Sequence, residues 1–195
     1  FTRRFTRNRL QIVEATVAKD GFLGTFYAPR GSVHRPAVLA FGGSEGGTGS
    51  VWEGEQLAAD GIPTLEIGYF HAPTLPDSRV IFPREDGRTA RRWLEHRREV
   101  DPGRTSVMSG SYGTEAALLL GVHYPALVHR VVALTPSNVV TCGIAGAHRP
   151  LGCLGSAWTF AGKPLPYTKL LNNPAPWDDP RAVIPVQRIE VPVFL

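Results

Sequence analysis

The sequence predicts an α/β fold: a mostly parallel sheet covered by helices on both faces. Short apolar runs alternate with helical stretches from residue 22 to residue 135, the pattern of successive strand–helix units. The run Ala37–Phe41 is continuous and apolar, as a strand buried on both faces requires. The chain has 195 residues, of which 43% are hydrophobic and 19% charged, a balance that excludes a disordered protein. A chain of that length buries roughly 70% of its unfolded surface and needs no disulfide or metal staple.

Residues 22–27 read as a strand, broken by Pro29 and Gly31. The strand at 37–41 leads into a glycine-rich loop at 42–49. A helix follows over 51–59 and ends at Asp60-Gly61. Residues 63–69 suit a strand, and a proline-rich turn lies between His71 and Pro83. Over 85–98, Ala90, Trp93 and Leu94 fall at helical spacing, with Arg88, Arg91, Arg92, Arg97 and Arg98 on what reads as a solvated cationic face. A strand at 104–109, a helix from Gly113 to His123 and a strand at 130–135 continue the alternation. Residues 136–183 read as loop, rich in Gly and Pro, and 191–195 as a last buried strand.

The net charge of +4 comes from 21 basic and 17 acidic residues. The excess lies in residues 1–10, where Arg3, Arg4, Arg7 and Arg9 form a basic, solvated arm. The remaining residues balance, which argues against a nucleic-acid face. No apolar run approaches the ~18 residues of a membrane span. No secretory leader pattern opens the chain, and cytoplasm is the default compartment. The chain begins at Phe1, so residues are expected upstream. The two cysteines, Cys142 and Cys153, are either a disulfide in an exported protein or two free thiols. Their spacing offers no zinc set, and neither a metal nor a cofactor is expected.

The sharpest local signal is Ser109-Gly110-Ser111-Tyr112-Gly113, set between a strand and a helix. A nucleophile elbow needs that context: a tight turn presents a serine oxygen above the sheet, and the helix aims its amino end at developing negative charge. The usual pattern is G-x-S-x-G, and here Ser109 stands for the first glycine. The loop Gly42-Gly43-Ser44-Glu45-Gly46-Gly47 is the second signal. Acyl transfer needs two backbone N–H groups aimed at the oxyanion. One is expected from Tyr112, the residue after the nucleophile, and one from Gly43 or Ser44. The loop has neither the Gly-Lys-Ser/Thr ending of a P-loop nor GxGxxG spacing. Glu115, one helical turn past Ser111, reads as structural rather than catalytic.

With these segments in hand the chain resembles the C-terminal catalytic domain of the acyl-CoA thioester hydrolase and bile acid-CoA:amino acid N-acyltransferase family, close to dienelactone hydrolase. The resemblance rests on AVLAFGGSEGG (37–47), LAADGIPTLEIGYF (57–70), GSYGTEAALLL (110–120), VVALTPSNVVTCG (131–143), SAWTFAGKPLPY (156–167) and AVIPVQRIEVPVFL (182–195). It implies an α/β-hydrolase domain over 11–195, incomplete at its C-terminus, with a triad in the order Ser, Asp, His. Ser111 matches the nucleophile. The family's acid and base follow the strand corresponding to residues 191–195, so both are expected beyond Leu195.

On the same resemblance, none of His34, His71, His96, His123, His129 and His148 holds the base position, and Asp178 and Asp179 precede the acid position. A second polypeptide carrying the missing triad residues is therefore an expected partner. The expected function is a serine acyl hydrolase, a thioesterase on acyl-CoA or acyl-carrier thioesters or an esterase. An acyltransferase using an amine or alcohol acceptor, and a non-catalytic binding protein of the same fold, stay open.

Overall fold

The computed structural model describes residues 9–48, 51–75, 82–143, 153, 155–168 and 179–195. Arg3, Arg4, Arg7, His148, Asp178, the middle of the proline-rich turn and much of 144–178 lie outside the described residues. The chain opens on β1 (Leu10–Ala15), the short helix α1 (Val17–Asp20) and β2 (Leu23–Pro29). Then come β3 (Arg35–Phe41), α2 (Val51–Ala59), β4 (Thr64–Gly68), β5 (Phe82–Pro83), α3 (Arg84–Glu95) and β6 (Val100–Gly110). A single 3₁₀ turn at Ser111–Gly113 leads into α4 (Thr114–His123), followed by β7 (Arg130–Leu134), β8 (Trp158–Phe160), β9 (Lys163–Pro164) and β10 (Val193–Phe194).

Seven strands form the main sheet in the order β1-β2-β4-β3-β6-β7-β10. From β4 to β10 the neighbours run parallel. At the other edge β2 runs antiparallel to both β1 and β4. The sequence pattern predicts no strand before residue 22. The sheet in fact begins at Leu10, inside the stretch read as an arm, and Leu10 is buried.

The two faces of the sheet can be separated at β2, where successive side chains point opposite ways. Tyr27 packs with Leu10 and with Ala58 of α2. Phe26, its neighbour, meets Trp93 of α3 edge-on at 5.8 Å, as does Phe22. Helices therefore cover both faces, as expected. α4 is buried along Thr114–Gly121 and packs on β6, β7 and α3. Such a helix must be apolar all round except where it finds polar partners. Burial of Phe26, Leu39, Phe41, Leu65, Ile67, Phe70 and Leu94 supplies the core, at roughly 1.5–3 kcal/mol per side chain.

Three expectations are corrected here. The helix predicted over 85–98 stops at Glu95, and a turn closed by Val100 N–H to Arg97 O at 3.0 Å feeds β6, which starts at Val100 rather than 104. Nor is its cationic face wholly solvated. Arg91 is 2% exposed and donates to Leu127 O at 2.8 Å and Pro102 O at 2.7 Å while pairing with Glu95. Arg97 lies over the rings of Phe26 and Trp93 at 5.2 and 5.0 Å. Second, the stretch read as loop over 136–183 contains β8 and β9, which build a small second sheet with β5. Third, the last strand is not buried: β10 pairs with β7 at the sheet edge, and Phe194 and Leu195 are exposed.

Candidate active site

The parallel strands β3, β4 and β6 deliver their carboxyl ends to one place, where ligands of such sheets bind. β6 ends at Gly110, and Ser111 takes φ +52°, a left-handed conformation that costs a serine energy and persists only where its surroundings enforce it. The enforcing contacts are local. Thr114 Oγ1 donates to Ser111 O at 2.6 Å, and a Cβ on Gly113 would collide with Gly42 O and with Ser109 Oγ. Ser109 is buried and donates to Phe41 O at 3.0 Å, so the residue standing for the usual first glycine ties β6 to β3. Ser111 itself is exposed at the head of α4.

The glycine-rich loop after β3 lies against this turn. A Cβ on Gly43 would sit 3.3 Å from Ser111 Cβ, so the two residues are in contact distance. Tyr69, just past β4, is buried, and its hydroxyl lies 2.8 Å from Gly42 O and 2.7 Å from Gly43 O. Burial raises the Tyr69 pKa well above the usual phenol value, so it acts as a neutral donor. Gly46 and Gly47 have φ of +72° and +75°, and Gly47 N–H donates to Phe70 O at 2.8 Å. The Gly43 N–H is engaged at 2.7 Å by Glu45 Oε1 from its own loop. Ser44 is exposed.

Behind the turn, Tyr112 is partly buried and donates its hydroxyl to Cys142 O at 3.0 Å; burial raises its pKa. Glu115 is 1% exposed and accepts three hydrogen bonds: Thr141 N–H at 2.9 Å, Thr141 Oγ1 at 2.7 Å and Trp158 Nε1 at 2.7 Å. Burial raises its pKa to about 7 against the lowering effect of those donors. Both cysteines are free thiols. Cys142 is buried, and desolvation, chiefly, together with the Cys153 thiol raises its pKa to about 12.

The described histidines divide by the end of the sheet they occupy. His34, His96 and His129 precede β3, β6 and β7, and His123 closes α4, all at the amino ends of the strands. His71 follows β4 at the carboxyl end, with its Cβ packed against Gly46. Asp179 is spent on Arg181, accepting from its backbone N–H, Nε and Nη2 at 2.8–2.9 Å. The structure thus brings together Ser111, Gly43 and Tyr112. Sequence reading missed Tyr69, Trp158 and Thr141; each is an isolated polar or aromatic residue whose role appears only when two distant segments meet. Among the described residues no three His, Cys, Asp or Glu side chains converge as metal ligands, and no helix is long and apolar enough to cross a membrane.

No family model matches the chain, and no curated protein matches it. Solved structures do. A hypothetical protein from Pseudomonas aeruginosa aligns at TM-score 0.57 and 18% identity, over 70% of this chain and 46% of that one. A thermostable carboxylesterase, EstE1, from a metagenomic library aligns at 0.52 and 23% identity, over 68% and 48%. An esterase from Pyrobaculum calidifontis aligns at 0.52 and 21% identity, over 67% and 47%. The chain spans less than half the length of these structures. At such identities the likeness speaks to architecture, and with the sheet order and helix placement above it shows that this chain has the α/β-hydrolase fold.

Proposed function

We propose that the protein is a serine ester hydrolase with Ser111 as nucleophile. The observation that carries this reading is the left-handed Ser111, φ +52°, at a strand–helix turn whose neighbour in the glycine-rich loop is Gly43. That geometry supports attack of Ser111 Oγ on an acyl carbonyl above the sheet. The carbonyl oxygen becomes an oxyanion and needs two donors, which we assign to Tyr112 N–H and to Gly43 or Ser44 N–H. The alcohol or thiol leaves, and water releases the acyl group from Ser111.

Glu45 bears on this assignment. Its carboxylate occupies Gly43 N–H, so for Gly43 to serve, Glu45 must turn away as substrate enters. The general base and its carboxylate partner are expected beyond Leu195, on the family resemblance. That resemblance also favours acyl-CoA or acyl-carrier thioesters within the ester class, and the esterase names of the structural neighbours favour oxygen esters.

The test compares kcat/KM of the full-length protein for a matched oxygen ester, thioester and amide. The ratio reports transition-state discrimination. Turnover of ester or thioester well above amide, abolished in Ser111→Ala, is expected. Amide preference, or an active Ser111→Ala, contradicts the reading.

A further inference from the structure

We propose that Glu115 is a positioning residue that holds both halves of the oxyanion hole in register, a role that rests on the reading of Ser111 above. The warrant is a connected set of contacts that starts at one carboxylate and ends at each proposed donor. Toward the elbow, Glu115 accepts from Thr141 N–H and Oγ1 at 2.9 and 2.7 Å. The next residue, Cys142, uses its carbonyl to accept the Tyr112 hydroxyl at 3.0 Å. Tyr112 is thereby fixed at both its backbone, in the 3₁₀ turn, and its side-chain tip.

Toward the glycine-rich loop, Glu115 accepts from Trp158 Nε1 at 2.7 Å. The Trp158 ring lies 5.6 Å from that of Tyr69 and 5.9 Å from that of Tyr112. Tyr69 in turn spends its hydroxyl on Gly42 O and Gly43 O. Two donors from loops far apart in sequence, at 43 and 112, thus share one buried anchor. A tie serving packing alone would require only that α4 be cross-linked to residues 139–143. It would not require a tryptophan wedged between the two tyrosines that hold the two donor loops.

Among the described residues, the titratable groups facing Glu115 are Tyr69, beyond β4, Tyr112 on the elbow, and Cys142. Burial raises the pKa of all three, so they stay neutral where Glu115 changes charge. Protonation of Glu115 converts charge-assisted bonds to weaker neutral ones and removes an acceptor site. The anchor therefore loosens as pH falls through about 7.

The experiment uses the full-length protein and two readouts. In steady-state hydrolysis of a p-nitrophenyl ester, Glu115→Gln should lower kcat by about 10–100-fold with KM within about twofold, the signature of misplaced transition-state donors. In fluorotryptophan-labelled protein, the Trp158 resonance, assigned by its loss in Trp158→Phe, should shift with a midpoint near pH 7 and stay flat in Glu115→Gln. The second readout does not depend on activity. Should Glu115→Gln fail to fold, Trp158→Phe keeps the carboxylate and removes one donor, and a kcat loss of about 3–10-fold at unchanged KM is expected. A folded Glu115→Gln with wild-type kcat, or a Trp158 resonance that Glu115→Gln leaves at its wild-type position, overturns the proposal while Ser111→Ala inactivity leaves the reading of the site standing. An active Ser111→Ala overturns both.

Discussion

The two ends of the sheet use charged and polar residues in opposite ways. At the amino ends, charges are spent on structure. Arg91 gives its donors to Leu127 O and Pro102 O and pairs with Glu95, and buried Glu99 lies 3.6 Å from both Arg97 and Arg98. At the carboxyl ends, the polar groups converge on backbone. Tyr69 donates to Gly42 O and Gly43 O, Ser109 to Phe41 O at the end of β3, Thr114 to Ser111 O and Tyr112 to Cys142 O. The first arrangement stitches elements together. The second fixes the course of two turns and leaves Ser111 exposed, with the Glu45 carboxylate on Gly43 N–H. A buried charge therefore marks no site by itself; the informative pattern is several neutral donors aimed at loop backbone.

Substitutions at the two ends should separate along this line. The largest effect is expected for Gly113→Ala. Its Cβ would meet Gly42 O, which is backbone and cannot swing aside, so the elbow and the glycine-rich loop must part. We expect a loss of about 3 kcal/mol or more in chemical denaturation, together with lost activity. Gly110→Ala is the control, since a Cβ there meets nothing within 4 Å.

At the opposite end, Arg91→Met should cost about 2–3 kcal/mol, because Leu127 O and Pro102 O lose a buried donor and Glu95 its partner. The retained fraction should keep wild-type kcat. A fall in kcat for the folded protein would show that the two ends are coupled.

Sequence alone reached much of this. The helix predicted over 51–59 is α2 to the residue, because Asp60-Gly61 ends it unambiguously. The turn at Ser111 and the glycine-rich loop were legible as turns because each is a dense cluster of small residues between a strand and a helix. Arg91 was misread because it stands beside Ala90, three residues before Leu94, so the apolar spacing carries it inward; the carbonyls that satisfy it belong to Pro102 and Leu127. β1 was missed because Leu10–Ala15 exposes Ile12 and buries its two end residues, a weak alternation beside an arginine-rich tail. β8 is three residues long inside a Gly- and Pro-rich stretch, and no local pattern announces that Trp158 reaches Glu115.

The smallest effect concerns Glu45. Freeing Gly43 N–H in Glu45→Ala should raise kcat/KM about 2–5-fold, the net worth of one part-buried hydrogen bond. A decrease would mean that the carboxylate shapes the loop rather than blocking its donor.

The role of Ser111 is measured most directly by active-site labelling. Full-length protein treated with a fluorophosphonate is digested, and the modified peptide is identified by mass. A single adduct on the peptide containing Ser111 is expected, absent in Ser111→Ala and unaffected by Arg91→Met in the folded fraction. An adduct on another residue, or labelling that persists in Ser111→Ala, would contradict that role.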